Sequence, residues 1–366
     1  MNSSRGRWRR FVGSIFAGLV LLWMVYKVAS MRRLSGDLSI DTGCGSDSTT
    51  MVQLAPGVPP TRCAVWDIGT GVTGYAWSAP NQRAVLLLQT GWGDYVQRYV
   101  TQGSQLIPHV LARGISVYGF DMWGSGRSPG KRGVTHIGQA ASDHLAARQA
   151  LRAQQVPVFV LGHSVGGLVT VTSALGDQEG IHGLILLAPA IRWELNPFLK
   201  TLARVMGFIA PTLPIPGPGG GTPPTGDPAS HHRMQNDTLM FHGALSWSTA
   251  GSGVKISDRN WSRYGELRVP VLAVHGSADQ TPGPKASQDF IAVVSSSDKT
   301  MHVISGGAHA ILDDSTSTQV LSIILEWIDR RLVPPVPPNH SVGFAPPRDA
   351  ISSIPAPERI RELRRR

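Results

Sequence analysis

The sequence predicts an α/β fold in which a mostly parallel central sheet is covered by helices on both faces. Six continuous apolar runs of strand length carry this prediction, because strands buried on both faces of a parallel sheet lack polar alternation. Helix-like stretches lie between several of these runs. The composition also suits a sizeable core, since 42% of the 366 residues are hydrophobic and 16% are charged.

The elements follow one another in a regular order. First, CAVWDIGTGVTGYAWSAP (63–80) predicts two short alternating strands joined by a glycine turn. The apolar runs are AVLLLQ (84–89), ISVYGFD (115–121), PVFVLG (157–162), GLILLAP (183–189), PVLAVHG (270–276) and TMHVIS (300–305). Helices are predicted over 141–154 and 318–332. In such sheets, functional residues gather at the carboxyl ends of the strands.

The N-terminal segment predicts a membrane anchor. A basic tail, residues 1–10, precedes FVGSIFAGLVLLWMVY, and the apolar span to residue 31 approaches the roughly 30 Å of a hydrocarbon core. The alternative is a cleaved signal peptide, with Val28 and Ser30 at its small-residue cleavage site. The positive-inside rule favours a cytoplasmic N-terminus, which places the rest of the chain on the extracytoplasmic side of the membrane.

The net charge of +10 belongs to the two ends of the chain. Residues 1–33 hold seven Lys and Arg and no acid, and residues 348–366 hold six Arg and three acids. Of 34 basic and 24 acidic residues, 21 of each remain between these ends. The body is therefore neutral, and no nucleic-acid partner is expected.

The body is predicted to span residues 62–332, between a linker at 32–61 and a Pro-rich tail at 333–366. The tail has few periodic apolar residues, and we expect it to be extended or disordered without a catalytic role. The two cysteines, Cys44 and Cys63, lie near the linker, where either a disulfide or two free thiols is compatible with the sequence. The sequence leaves the oligomeric state open.

The stretch VLGHSVGGL (160–168) singles out Ser164. Its G-x-S-x-G spacing is weak evidence alone, but here an apolar run precedes the serine and a helix-like stretch follows it. That context predicts a nucleophile elbow, a sharp strand-to-helix turn. A serine hydroxyl needs a base to remove its proton and an acid to orient that base.

Both partners are predicted downstream. Asp279 follows the run at 270–276 and His309 follows the run at 300–305, which gives the Ser, Asp, His order that an elbow fold requires. The alternatives for the acid are Asp258, Asp313 and Asp314. His163, His275 and His302 are interpreted as structural neighbours of strand ends. The backbone N–H groups of Trp92, between two glycines, and of Val165 are the candidate oxyanion donors.

Five stretches together resemble the monoacylglycerol lipase and lysophospholipase group of α/β-hydrolases, which is often grouped with serine aminopeptidases. They are TGWGDYVQRY, GFDMWGSGRSPGKRG, GHSVGG, HGSADQTP and SGGAHAILDD, in order across about residues 62–330. The resemblance implies an α/β-hydrolase fold, the triad of Ser164, Asp279 and His309, and the same two oxyanion donors. Thr90 and Ser125 depart from the family pattern, which has His at both positions.

An insertion at about residues 191–260 interrupts the alternation of strands and helices, and the resemblance implies a cap there. Phe198, Leu202, Met206 and His242 are candidate substrate-binding residues. Its apolar residues could receive an acyl chain or contact the membrane, or pack the cap onto the body.

The expected function is a membrane-anchored serine hydrolase that cleaves esters of lipid-like alcohols through an acyl-enzyme. Monoacylglycerols and lysophospholipids are the expected substrates, and no metal or organic cofactor is implied. One alternative is an aminopeptidase, which would need a cap acid such as Glu194 or Asp237 to hold the substrate ammonium. The other is a non-catalytic interaction protein on the same fold.

Overall fold

A nine-stranded sheet forms the centre of the computed structural model, which describes residues 44, 51–52, 60–216, 224–280 and 282–332. The strands are β1 Met51–Val52, β2 Thr61–Trp66, β3 Gly74–Ser78, β4 Ala84–Gln89, β5 Ile115–Phe120, β6 Val158–His163, β7 Ile181–Leu187, β8 Val271–Gly276 and β9 Lys299–Ile304. Their order across the sheet is β1-β2-β3-β5-β4-β6-β7-β8-β9. The pairs from β5 to β9 are parallel, and β1, β2 and β3 extend the sheet antiparallel.

Helices cover both faces of this sheet. They are α1 Arg98–Thr101, α2 Leu106–Leu111, α3 Ile137–Leu151, α4 Val165–Gly176, α5 Pro197–Ile209, α6 Pro228–Asn236, α7 Trp247–Trp261, α8 Pro284–Val293 and α9 Ser317–Asp329. One core layer packs α1, α2 and α9 against the sheet, and the other packs α3, α4 and α8 against the opposite face. Alternate residues of a strand enter opposite layers, as Leu86 and Leu87 do in β4.

The structure confirms all six apolar runs as strands, with small shifts at their ends. It also confirms the two alternating strands before them and the last helix. The helix predicted over 141–154 begins earlier, at Ile137, because the His136 ring accepts a hydrogen bond from the Gln139 N–H at 3.2 Å and caps the first turn. The predicted sequence boundary missed this cap because histidine is an uncommon capping residue.

A disulfide joins Cys44 to Cys63, with their Cα atoms 5.2 Å apart. The sequence left open a disulfide or two free thiols, and the structure has the disulfide. Both cysteines are buried in the core layer that contains α1. Strand β1 and the first residue of β2 lie inside the segment predicted as a linker, because β1 pairs with β2.

The segments predicted as basic tail, membrane anchor and C-terminal tail (1–10, 11–31 and 333–366) lie outside the described residues. Within the part that the structure describes, no helix is long and apolar enough to span a membrane.

The cap consists of α5, α6 and α7, inserted between β7 and β8. Helices α5 and α7 approach closely through small residues, since a Cβ at Gly207 would lie 2.8 Å from the Trp247 carbonyl oxygen. A Cβ at Gly251 of α7 would likewise meet the Ala203 carbonyl oxygen of α5. Ala203 is the one fully buried residue of α5, so most apolar side chains of this helix face away from the body.

Candidate active site

Ser164 lies in a sharp turn between β6 and α4. Its backbone has φ 54° and ψ −122°, a conformation that is uncommon for a residue other than glycine. The turn is held because the Ser164 N–H donates to the Leu187 carbonyl at 3.0 Å. Glycine is required at Gly166, where a Cβ would collide with the carbonyl oxygens of Gln89 and Thr90. The local sequence therefore folds as the predicted strand-turn-helix.

The structure brings Ser164, His309 and Asp279 into one hydrogen-bonded chain. The His309 Nε2 lies 2.8 Å from the Ser164 Oγ, and the His309 Nδ1 lies 2.7 Å from the Asp279 Oδ2. Asp279 is buried, whereas His309 is partly exposed. With Nδ1–H donating to the carboxylate, Nε2 is free to accept the serine proton.

A second histidine, His275 on β8, also contacts the Asp279 carboxylate. It is fully buried at the end of β8, and its Nε2 lies 3.1 Å from the Asp279 Oδ2 and 2.8 Å from the Pro282 carbonyl oxygen. Its Nδ1 lies 2.8 Å from the Ser287 hydroxyl. Because the Asp279 carboxylate and the Pro282 carbonyl are both acceptors, Nε2 carries a hydrogen and donates. Sequence reasoning treated His275 only as a neighbour of the strand end and missed this contact.

The alternative acids all bind other groups. Asp258, on α7, pairs with Lys200 and Arg204 of α5, each at 2.6 Å. The Asp314 Oδ2 accepts from the Ala308 N–H at 2.7 Å, and the Asp313 Oδ1 pairs with the buried Arg98 at 2.7 Å. Asp279 is the carboxylate that contacts His309.

The two candidate oxyanion donors flank Ser164. Val165 is the first residue of α4, so its N–H belongs to the first turn, where backbone donors have no intrahelical acceptor. The loop that carries Trp92 also reaches Ser164, because a Cβ at Gly91 would lie 3.4 Å from the Ser164 Cβ. Both backbone segments therefore border the serine side chain.

A buried ion pair ties the Trp92 loop to the His309 loop. Arg98 is 2% exposed; its Nε lies 2.5 Å from the Asp94 Oδ1 and its Nη1 lies 2.7 Å from the Asp313 Oδ1. The Tyr99 hydroxyl adds a hydrogen bond to the Asp94 Oδ2 at 3.0 Å. Burial lowers the pKa of Arg98, but the surrounding anionic groups outweigh it and raise that pKa well above its usual range. Asp94, Arg98 and Tyr99 all stand in TGWGDYVQRY and Asp313 stands in SGGAHAILDD, but the sequence alone does not indicate that they pair.

His163 supports the backbone of the His309 loop. Its Nε2 lies 3.1 Å from the His309 carbonyl oxygen, and the two imidazole rings are 5.2 Å apart. Burial, with a further contribution from His309, lowers the pKa of His163 to about 3. At neutral pH this ring is therefore uncharged and donates from Nε2.

The predicted cap residues do not form a closed pocket around Ser164. Phe198 is 74% exposed, and Leu202 and Met206 are half-buried on the same helix. The sequence left open that these residues pack the cap onto the body, but Phe198 does not do so. His242 is exposed, with its Nε2 3.0 Å from the Asp237 carbonyl oxygen. It contacts the cap's own backbone and not the serine.

A cavity of about 380 Å³ lies elsewhere, at the base of the cap. Its lining consists of Arg192, Trp193, Glu194, Leu195, Lys200, Ser257, Asp258 and Trp261. The charged groups in it are already paired, and none of the residues hydrogen-bonded around Ser164 lines it. The candidate site is therefore the hydrogen-bonded cluster around Ser164 and not this cavity. Among the described residues, no cluster of His, Cys, Asp and Glu could hold a metal ion.

Comparisons with known proteins agree with the fold and with the motif resemblance. The family model for serine aminopeptidase, S33, matches residues 80–316. The chain is 26% identical over 260 residues to a monoacylglycerol lipase of Mycolicibacterium smegmatis, covering 67% of this chain and 88% of that protein. It is 24% identical over 264 residues to a human monoglyceride lipase, covering 68% of this chain and 83% of that protein.

Two solved structures share the fold. The monoacylglycerol lipase of Paleococcus ferrophilus has a TM-score of 0.63 and 27% identity, and the match covers 71% of this chain and 99% of that one. A soluble variant of the monoglyceride lipase of Saccharomyces cerevisiae, in complex with a substrate analog, has a TM-score of 0.65 and 22% identity. That match covers 77% of this chain and 99% of the yeast chain. The predicted α/β-hydrolase fold is confirmed.

The free energy of unfolding of His163→Gln is expected to fall less steeply than that of the wild type as the pH is lowered. The unfolded chain binds a proton at this histidine below about pH 6.5, whereas the folded chain does so only near pH 3. Stability from this group is therefore present above pH 6.5 and is lost as the pH falls towards 3, by up to about 1.4 kcal/mol per pH unit. Urea unfolding of both proteins at several pH values between 4 and 7.5 measures the difference.

The matched control is His232→Gln, at an exposed position on α6. Its unfolding free energy should follow the wild type across the same pH range. Parallel curves for wild type and His163→Gln would contradict the neutral, buried state assigned to His163.

Proposed function

Because the chain belongs to the serine aminopeptidase (S33) family of α/β-hydrolases, we propose that it is a membrane-anchored lipase acting on monoacylglycerols or lysophospholipids. The chain is a serine hydrolase of the carboxylic ester class, and its matched relatives include several monoglyceride lipases. The single observation that carries the proposal is the hydrogen-bonded chain from Ser164 through His309 to Asp279.

The reaction proceeds through an acyl-enzyme. The Ser164 Oγ attacks the ester carbonyl while the His309 Nε2 takes its proton, and Asp279 stabilises the imidazolium that results. The N–H groups of Trp92 and Val165 donate to the developing oxyanion. Collapse of this intermediate releases the alcohol, which takes the proton from His309. Water, activated by the same imidazole, then hydrolyses the acyl-enzyme and restores the serine.

The surface of α5 supports a lipid-like substrate. Phe198, Phe208 and Ile209 are 74%, 67% and 49% exposed, and Leu202 and Met206 lie half-buried beside them. Several large apolar side chains exposed on one helix usually mark contact with an apolar partner. We assign the exposed residues to contact with a lipid surface and the half-buried pair to the acyl chain.

Both acids considered for the peptidase alternative already have partners. A substrate ammonium would need an uncompensated carboxylate, but Glu194 pairs with Arg192 at 2.8 Å. Asp237 already accepts from the Tyr95 hydroxyl at 2.7 Å and from the Gln102 amide at 2.9 Å. A non-catalytic role is disfavoured because the hydrogen bonds of a working nucleophile are all present.

The proposed location is the extracytoplasmic side of a membrane, with residues 11–31 as the anchor. This part of the proposal rests on the sequence, where an uncharged apolar run follows a basic tail. The Cys44–Cys63 disulfide is an independent support, since disulfides persist in oxidising compartments and are rare in the cytosol.

Ser164→Ala is expected to abolish both covalent labelling by a fluorophosphonate and hydrolysis of monoacylglycerols. Removal of a triad nucleophile costs about 10⁴-fold or more in kcat. Mass spectrometry locates the label, and circular dichroism verifies that the variant is folded. Ser142→Ala, at an exposed serine of α3, is the control and should label like the wild type. Equal labelling of Ser164→Ala would overturn the assignment of the nucleophile.

The wild-type kcat/KM should rise with acyl chain length, by up to about fourfold per methylene until the site is full. Leu202→Ser and Met206→Ser should flatten this slope, because a polar side chain weakens the burial of the acyl chain. The measurement uses p-nitrophenyl esters below their micelle-forming concentrations. Thr201→Ser, at an exposed neighbour on α5, should keep the wild-type slope. An unaltered slope in both variants would place the acyl site elsewhere.

Protease added outside intact cells should digest the catalytic domain and spare residues 1–10, because the domain is proposed to lie outside the cytoplasm. Where an outer membrane is present, it is permeabilised first. In parallel, peptide mapping without reductant should recover a linked Cys44–Cys63 peptide that separates on reduction. Full protection of the domain would reverse the proposed orientation.

A further inference from the structure

Phe241 links the cap to the loop that carries Trp92. The Phe241 N–H donates to the Gly93 carbonyl oxygen at 2.8 Å. The Phe241 ring also packs edge-to-face on the Trp92 ring, with their centroids 5.4 Å apart. One residue of the cap therefore contacts this loop through both its backbone and its side chain.

Three glycines make room for Phe241. Gly93 has φ +74°, and a Cβ there would lie 3.0 Å from the Phe241 carbonyl oxygen. A Cβ at Gly133 or at Gly243 would overlap the Phe241 ring. These glycines come from two loops of the body and from the cap itself, so side chains are excluded on several sides of the ring. The three glycines therefore leave the space that Phe241 occupies.

Further polar contacts fasten the same part of the cap. The Tyr95 hydroxyl donates to the Asp237 Oδ2 at 2.7 Å, and Arg132 donates to the Leu239 carbonyl oxygen. The Trp92 indole N–H donates to the Gly133 carbonyl oxygen at 3.0 Å. Residues 237–241 thus contact the Trp92 loop at Gly93 and Tyr95, and the buried Arg98 holds the same loop separately at Asp94.

An oxyanion donor must lie about 2.7–3.1 Å from the developing charge, so a small displacement of its amide weakens catalysis strongly. The Trp92 amide lies between Gly91 and Gly93, which have more backbone freedom than other residues. Within the loop, the Asp94 N–H reaches the Gly91 carbonyl at only 3.3 Å. On the next residue, the Gly93 carbonyl oxygen accepts from the Phe241 N–H at the shorter distance of 2.8 Å.

We propose that Phe241 is a positioning residue that couples the seating of the cap to the alignment of the Trp92 N–H in the oxyanion hole. This inference rests on the proposed function, in which Trp92 supplies one of the two oxyanion donors. A displaced cap would then lower kcat even for an ester too short to touch the acyl site.

The test compares Phe241→Ala and Phe241→Leu with Met240→Ala, a control in the same segment, using p-nitrophenyl acetate. Fluorophosphonate titration counts active sites, so that kcat is expressed per reactive serine and is insensitive to an unfolded fraction. Loss of alignment at one donor should lower kcat about 10- to 100-fold in Phe241→Ala with little change in KM. Phe241→Leu should recover part of that loss, and Met240→Ala should resemble the wild type.

A second measurement separates positioning from a purely structural effect. A boronic acid forms a tetrahedral adduct on the serine and uses the oxyanion hole, so its affinity should fall in parallel with kcat. If Phe241→Ala does not fold, Phe241→Leu decides the outcome. Unchanged kcat per site and unchanged boronate affinity in the folded variants would overturn the inference. Absence of labelling at Ser164 in the wild type would instead overturn the proposed function.

Discussion

The turn at Ser164 is the constraint on which the rest of the site depends. A non-glycine residue in this sparsely populated conformation costs about 1–3 kcal/mol, and it persists only where the surroundings fix it. Here the adjacent glycines let α4 approach the loops after β4 and β7; a Cβ at Gly166 would meet the Thr90 carbonyl oxygen, and a Cβ at Gly167 would lie 2.6 Å from the Pro189 Cβ. The strained turn directs the hydroxyl towards the sheet edge where the loops after β8 and β9 emerge, and His309 and Asp279 lie in those loops.

Those loops have little regular structure of their own, so buried polar contacts fix them. Arg98 reaches Asp94 in one loop and Asp313 in another, although 215 positions separate Arg98 and Asp313 in the chain. A buried ion pair adds little to folding free energy in comparison with apolar packing, because both charges lose their hydration. We therefore assign this network a geometric role: it holds the Trp92 loop and the His309 loop at one fixed separation.

Most of the fold could be predicted from sequence because the strands are continuous apolar runs between turn residues. Ser164, Asp279 and His309 could be predicted for a related reason, since each follows such a run at the carboxyl edge of the sheet. The supporting contacts could not. His275 looks like any residue near a strand end, and the sequence does not show that Asp279 and the Pro282 carbonyl lie against its ring. The role proposed for Phe241 depends on glycines at 93, 133 and 243. These glycines are far apart in the sequence, and no local pattern indicates that they surround one ring.

The parts of the cap differ in how many contacts they make with the body, and this difference bears on substrate preference. Helix α7 is tied to the body by buried polar contacts: the Thr135 N–H donates to the Thr249 hydroxyl at 3.1 Å, and the Asn260 amide donates to the Thr172 hydroxyl at 2.7 Å. Residues 237–241 are tied to the Trp92 loop. Helix α5, in contrast, packs on α7 around Ala203 and turns its larger apolar side chains outward. Side chains on that outer face can change with little effect on the core or on the triad. Under the proposed function, we therefore expect substitutions on α5 to alter lipid preference while the chemistry at Ser164 stays the same.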